Sequence, residues 1–331
     1  MTARLYKSTD ASAPVLTGQN GSLVALLLAV LVNGYGSQTA AGWTEPYTAT
    51  NKAVFRNSAS TGTGFYLDVD DSGPGAGAAR EARVKGYEVM TAVATGTNPF
   101  PTVAQMSNGL FVRKSTTADA TARPWYILAD DTVFYLFIES GDYTAPTRAT
   151  AFMFGDFYSY KTSDAYRCMI IGRDAENTGS QANENFPVLA NKNGAVVTSQ
   201  TTNGHYLARG TAGAGGSVPC GLHGDCALVP ANNTTYPSMM GQSTGIFGST
   251  YPNPADNGLY MAPAYVHHSA GVRGYLKGLW IPSHDLPLGH GDTFTGTGAL
   301  SAKSFLCMQM YSFTYTSYNA ECFLETSNTW S

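Results

Sequence analysis

Past residue 35, apolar residues alternate with polar ones or gather in short blocks between Gly-, Asp- and Asn-rich turns. Both patterns are those of β-strands. Strands are predicted over residues 64–69, 83–93, 110–114, 125–129, 132–139, 151–158, 165–172, 258–266, 272–281, 303–311 and 321–326. Asp130-Asp131 between two of these runs reads as a hairpin turn, and residues 161–164 as the turn of another pair. Residues Phe134 to Ile138 are apolar without interruption, so that strand is expected to be buried on both faces. The predicted core comprises Phe134, Leu136, Ile138, Phe152, Phe154, Met169, Ile171, Leu279, Phe305, Leu306 and Phe323.

The apolar run at 23–32 is the exception to the strand pattern. Ten residues are too few to cross a bilayer. Asp10, Pro14 and a Gly/Asn turn precede it, which is a poor n-region for a signal peptide. It reads as a short buried helix, capped by Ser22 and ended by Asn33-Gly34. Residues 174–200 and 210–257 are polar and rich in Gly, Asn, Ser, Thr and Pro, and are predicted as long ordered loops reaching neighbours. There is no short repeat and no strand–helix alternation, which argues against a propeller, a solenoid or a parallel α/β fold. The fold class is therefore mainly β: an antiparallel sandwich or barrel with long ordered loops and a short N-terminal helix. The expected organisation is an N-terminal helical segment and arm over 1–50, then a β-rich domain over 51–331, as one unit or as two subdomains with a loop-rich insertion at about 174–257.

Composition changes this picture in one respect. Charged residues make up 13% of the chain, against about 25% for an ordinary soluble domain. Tyr (20), Phe (15) and Met (10) are plentiful. Charge depletion with aromatic, Met and Arg enrichment marks protein–protein interfaces. Much of the exterior is therefore predicted to touch other protein, the alternative being a secreted-type β-domain with a neutral polar skin. The net charge is −4 with no basic stripe, so neither nucleic acid nor membrane insertion is expected. Five cysteines, an odd number, favour reduced thiols in a cytoplasm-assembled protein, with Cys307 and Cys322 as strand core.

Several clusters invite a chemical reading. Residues 68–73 (DVDDSG) open like a calcium loop, but position twelve is Ala79 where a bidentate Glu is needed, so an Asp/Gly hairpin turn is the preferred reading. Cys220, His223 and Cys226 are weak zinc-ligand candidates, with His205 the nearest fourth ligand in sequence. His284-Asp285 has the composition of part of a hydrolase triad, yet no G-x-S-x-G elbow accompanies it. Asp130 and Asp131 as paired carboxylates are indistinguishable from turn residues. No catalytic residue, cofactor or enzyme activity is predicted. Trp43, Trp125, Trp280 and Trp330 are the aromatics to consider for surface binding, as platforms for a carbohydrate or receptor.

The runs at 22–43 (SLVALLLAVLVNGYGSQTAAGW), 51–57 (NKAVFRN), 64–71 (GFYLDVDD), 118–136 (ADATARPWYILADDTVFYL), 152–173, 257–282 and 291–330, closing in FLETSNTW, resemble a family of virion structural proteins of tailed bacteriophages. The resemblance implies a particle component that partners itself and other virion proteins as a homo-oligomer, and it supplies no catalytic residues. A tail-associated position is expected first, capsid decoration second, and a neck or collar third. The rival readings are a carbohydrate- or receptor-binding module on the virion and a glycan hydrolase.

Overall fold

The computed structural model describes residues 2–75, 78–140, 149–173, 204–210, 213, 215–223, 252, 255–268, 271–282, 288–311 and 319–330. After strand β1 (Arg4–Lys7), helix α1 (Ser22–Leu27) continues into a π-helical turn at Leu28–Asn33. Six successive strands then build one outer sheet: β2 (Thr44–Ala49), β3 (Lys52–Arg56), β4 (Tyr66–Asp70), β5 (Glu81–Ala92), β6 (Thr95–Phe100) and β7 (Leu110–Arg113). Their order is β2-β3-β4-β5-β6, with β7 also on β5.

The middle sheet comes next in sequence: β8 (Trp125–Ala129), β9 (Val133–Glu139), β10 (Ala149–Asp156), β12 (Cys168–Ile171), β13 (His205–Leu207) and β14 (Val218–Pro219). Between β10 and β12 lies the two-residue strand β11 (Tyr158–Ser159), which leaves for the other outer sheet. The sheet order is β1-β8-β9-β10-β12-β13-β14, so the N-terminal strand β1 closes one edge. The second outer sheet holds β15 (Gly221–His223), β16 (Met261–His268), β17 (Gly271–Pro282), β18 (Thr293–Thr295), β19 (Ser304–Tyr311) and β20 (Asn319–Glu325). Its order is β15-β16-β17-β20-β19-β18, with β11 added on β17. Every strand pairing among the described residues is antiparallel.

Side-chain alternation assigns the two faces of the middle sheet to separate cores. Phe134, Leu136, Ile138, Phe152 and Phe154 pack with α1 and with Phe55, Leu67, Val84 and Leu110 of the first outer sheet. Val133, Tyr135, Phe137, Ala151 and Met153 pack with Leu276, Leu279, Leu306 and Leu324 of the second. The result is a three-layer β-sandwich. Its middle strands carry uninterrupted apolar runs because neither face meets water, and every member of the predicted core is buried.

The first 50 residues are part of this body, where the sequence pattern suggested an arm. Strand β1 pairs with β8, strand β2 pairs with β3, and Leu23, Leu26, Leu27, Val30 and Leu31 lie in the first core. The loop-rich stretches at 174–200 and 210–257 fall largely outside the described residues, but the described part of 174–257 contains three strands, β13 to β15. The helix start also differs from expectation. Ser22 is itself helical, and its hydroxyl donates to the Thr17 carbonyl at 2.8 Å. The cap comes from Asp71, 48 residues away, whose carboxylate accepts the Leu23 N–H at 2.8 Å. Asp71 is in turn ion-paired with Lys114, both fully buried, and the ammonium also donates to the Gln19 carbonyl at 2.6 Å. The predicted end holds: Gly34, at φ 78°, stops the π turn, a backbone conformation open to glycine.

Candidate functional site

Strand β11 forms only because Gly274 lacks a side chain. A Cβ there would stand 1.8 Å from the Tyr158 carbonyl oxygen. This close approach sets Tyr158 opposite Tyr275 and Ser159 opposite Gly274, and on the far side of β17 Tyr265 stands opposite Tyr275. A row of tyrosines thus crosses three adjacent strands. The rings of Tyr158 and Tyr275 are stacked, with centroids 4.8 Å apart and planes 24° apart. Tyr160 lies 6.0 Å from Tyr158 and 6.1 Å from Tyr275. Tyr158 and Tyr160 remain 50% and 55% exposed, so this aromatic cluster faces solvent.

Tyr158 and Ser159 also form one wall of a groove of about 320 Å³. Its other walls include Thr61, Thr132, Asp156, Lys161, Asp164, Arg167 and Lys277. Most of its charges are fixed by protein groups. Asp156 accepts from Asn57 Nδ2 (2.9 Å), Thr63 N (2.8 Å) and Thr63 Oγ1 (2.7 Å), with Arg167 Nε at 3.4 Å. Burial raises its carboxyl to about 6, against the pull of the Thr63 hydrogen bonds and Arg167. Asp164 is also pushed up by burial, but donors from Ser159 (2.7 Å) and Arg273 (2.6 Å) outweigh that and hold it below the usual range. Lys277 donates to Thr132 Oγ1 (2.5 Å) and Asp130 Oδ2 (3.1 Å). Lys161 is exposed, and no described group engages its ammonium. The groove therefore presents fixed polar groups beside an aromatic surface.

The four tryptophans singled out from sequence lie elsewhere. Trp43 and Trp125 are buried in the first core, so neither is a surface platform. Their indole N–H groups donate to the carbonyls of Asp130 (2.8 Å) and Pro14 (3.0 Å), which completes their burial. Trp280 and Trp330 are half-buried and tied down. Trp280 donates to Glu325 Oε2 at 3.1 Å, and Trp330 donates to the Glu325 carbonyl at 2.9 Å. The Trp330 ring lies where a Gly278 side chain would be, 2.6 Å from an ideal Cβ. All four indoles thus serve packing. Among the described residues the large exposed aromatics are tyrosines, and two of them sit on or beside a strand too short to leave a sequence signal.

The remaining candidates resolve as follows. In the calcium-like run, Asp70 pairs with Lys52 at 2.7 Å and Asp71 with Lys114, so cations of the protein occupy the carboxylates. Asp130 Oδ1 accepts the N–H groups of Thr132 (2.7 Å) and Val133 (2.9 Å), and Asp131 Oδ2 accepts from Thr61 Oγ1 (2.6 Å), as turn residues do. Cys220 N–H donates to the His205 carbonyl at 3.1 Å, which sets these two buried residues across from each other. Burial pushes the Cys220 thiol up. Both ring nitrogens of His205 lack a hydrogen-bond partner, and burial lowers its imidazole to about 3. The His223 side chain, Cys226 and the His284-Asp285 pair lie outside the described residues. Among the described residues, no three of His, Cys, Asp and Glu converge to hold a metal ion, and no helix is long and apolar enough to cross a membrane. Cys307 and Cys322 are buried, as expected of strand core.

No family model matches this chain, and no curated protein matches it significantly.

Proposed function

We propose that this chain is a structural subunit of a tailed-bacteriophage virion, tail-associated, which acts by binding copies of itself and other virion proteins rather than by catalysis. The observation that carries this reading is where the charges lie. The chain has only 19 basic and 23 acidic residues. Among the described residues eleven of these are buried: Asp71, Glu81, Glu88, Arg113, Lys114, Asp130, Asp156, Asp164, Arg173, Arg273 and Glu325. Most of them pair internally, as in Arg173–Glu81 (2.8 Å), Arg209–Glu88 (2.5 Å) and Arg273–Asp164 (2.6 Å). Eleven charges are thereby withdrawn from an exterior that the composition already leaves sparsely charged. Such a surface lacks the repulsion that keeps proteins apart, and it matches the charge depletion of interface cores. The resemblance of the runs at 22–43, 118–136 and 291–330 to virion structural proteins supports placing that assembly in a phage particle.

Light scattering on the purified chain and labelling of phage particles with gold-conjugated antibody test this. A closed homo-oligomer burying more than about 1,000 Å² per contact is expected, with label on the tail. Label on the head makes the chain a decoration protein. A monomer at high concentration, with no label on particles, overturns the reading.

A further inference from the structure

We propose that the tyrosine cluster of β11 and β17, together with the adjoining groove, binds an oligosaccharide. The inference does not rest on virion assembly; it rests on the conjunction of two surfaces. Tyr158 belongs to both, stacked on Tyr275 on one side and walling the groove on the other. A pyranose ring has an apolar C–H face that packs on an aromatic ring and a hydroxylated edge that needs donors and acceptors. The cluster offers the first through Tyr158 and Tyr160, about half exposed. The groove offers the second through Thr61, Thr132, Ser159, Asp164, Arg167 and Lys277.

Three features favour a sugar over a protein segment. A protein anchor site centres on a desolvated aromatic or Arg in an apolar surround, with the polar groups at its rim. Here polar side chains form the concavity itself. The groove, at about 320 Å³, lies at the small-molecule end of the scale, where sites run from about 300 to 1,000 Å³. Its polar groups are also held in place before any ligand arrives: Arg167 spans the Thr61 carbonyl (3.1 Å) and the Asp164 carbonyl (3.1 Å), and Lys277 is anchored on Thr132 and Asp130. Preorganised polar groups lose little entropy on binding. Lys161 at the margin adds an uncommitted ammonium, a partner for the carboxylate of an acidic sugar.

The test is an array of bacterial surface glycans, lipopolysaccharide O-chains and capsular oligosaccharides included, probed with the full chain and followed by calorimetry on the strongest hit. Binding is expected, weakened about tenfold or more, an amount set by losing one good contact, in Tyr158→Ala and again in Tyr160→Ala. Lys161→Ala weakens acidic oligosaccharides and spares neutral ones. Tyr160 has the more exposed ring, so Tyr160→Ala keeps the test valid if Tyr158→Ala misfolds. No binding across the array overturns the proposal, as does binding that both tyrosine variants leave unchanged. Loss of oligomer or particle assembly in Tyr160→Ala without any glycan affinity assigns the cluster to a protein contact and equally overturns it.

Discussion

Trp43, Phe134, Phe154 and Phe100 form a chain of rings between the middle sheet and the first outer sheet, with centroids 5.4 to 5.9 Å apart. Tyr158, Tyr160 and Tyr275 form a second chain of rings at 4.8 to 6.1 Å on the face of the other outer sheet. The spacings are alike and the surroundings opposite. The first group lies between two sheets and is shut off from water; the second is packed on one side only and is wet on the other. Ring contact is therefore not what distinguishes fold from function here. The number of covering layers is. Interior rings contribute their whole transfer free energy to stability, about 1.5–3 kcal/mol for a fully buried Phe or Leu. The exposed tyrosines contribute little and remain available to a ligand.

Substitutions can break this comparison at its strongest point first. Lys114→Ala leaves Asp71 buried without its cation and loosens the cap of α1. A loss of about 3–5 kcal/mol is expected in denaturant unfolding, and a loss under 1 kcal/mol means that Asp71 finds another partner. Leu136→Ala, at the centre of the middle sheet and fully buried, is expected to cost about 2–5 kcal/mol. Tyr160→Ala on the exterior is expected to stay within about 0.5 kcal/mol of the parent. Similar costs for the two would erase the distinction between the layers.

A pH titration sharpens the interior half of the comparison. Burial lowers His205 to about 3, against an ordinary value of 6.5. The unfolded chain therefore takes up this proton before the folded one. Below pH 6.5 the contribution of His205 to stability falls as the pH falls, by up to about 1.4 kcal/mol per pH unit, until the folded-state value is reached. Asp156, raised to about 6 by burial, acts in the opposite direction over its own range, so the readout is the difference between the parent and His205→Leu. The acid-dependent loss is expected in the parent and absent from the variant. Superimposable pH profiles would sink this account of His205.

Much of the interior was legible in the chain. The uninterrupted run at 134–138 announced a strand covered on both sides, and the interleaved apolar and polar residues at 83–93 announced another strand. Strands β2 and β11 were not legible, for different reasons. Strand β2 carries Pro46 and lies exposed at a sheet edge, where no apolar pattern is required. Strand β11 has two residues, too few for any periodicity. The candidate site was harder still. Tryptophan is the more conspicuous residue, yet all four indoles serve packing, and tyrosines on and beside β11 and on β17 form an exposed cluster.

The order of residues alone determined that this protein is a sheet protein with a dry middle layer and few charges, because burial on two faces demands unbroken apolar runs and composition needs no coordinates. Only the tertiary structure decided which aromatics meet water, which carboxylate caps the helix, and that over a quarter of the charged residues turn inward. Those outcomes depend on contacts between residues dozens of positions apart. Local pattern carries no information about which sheet will lie over a given face.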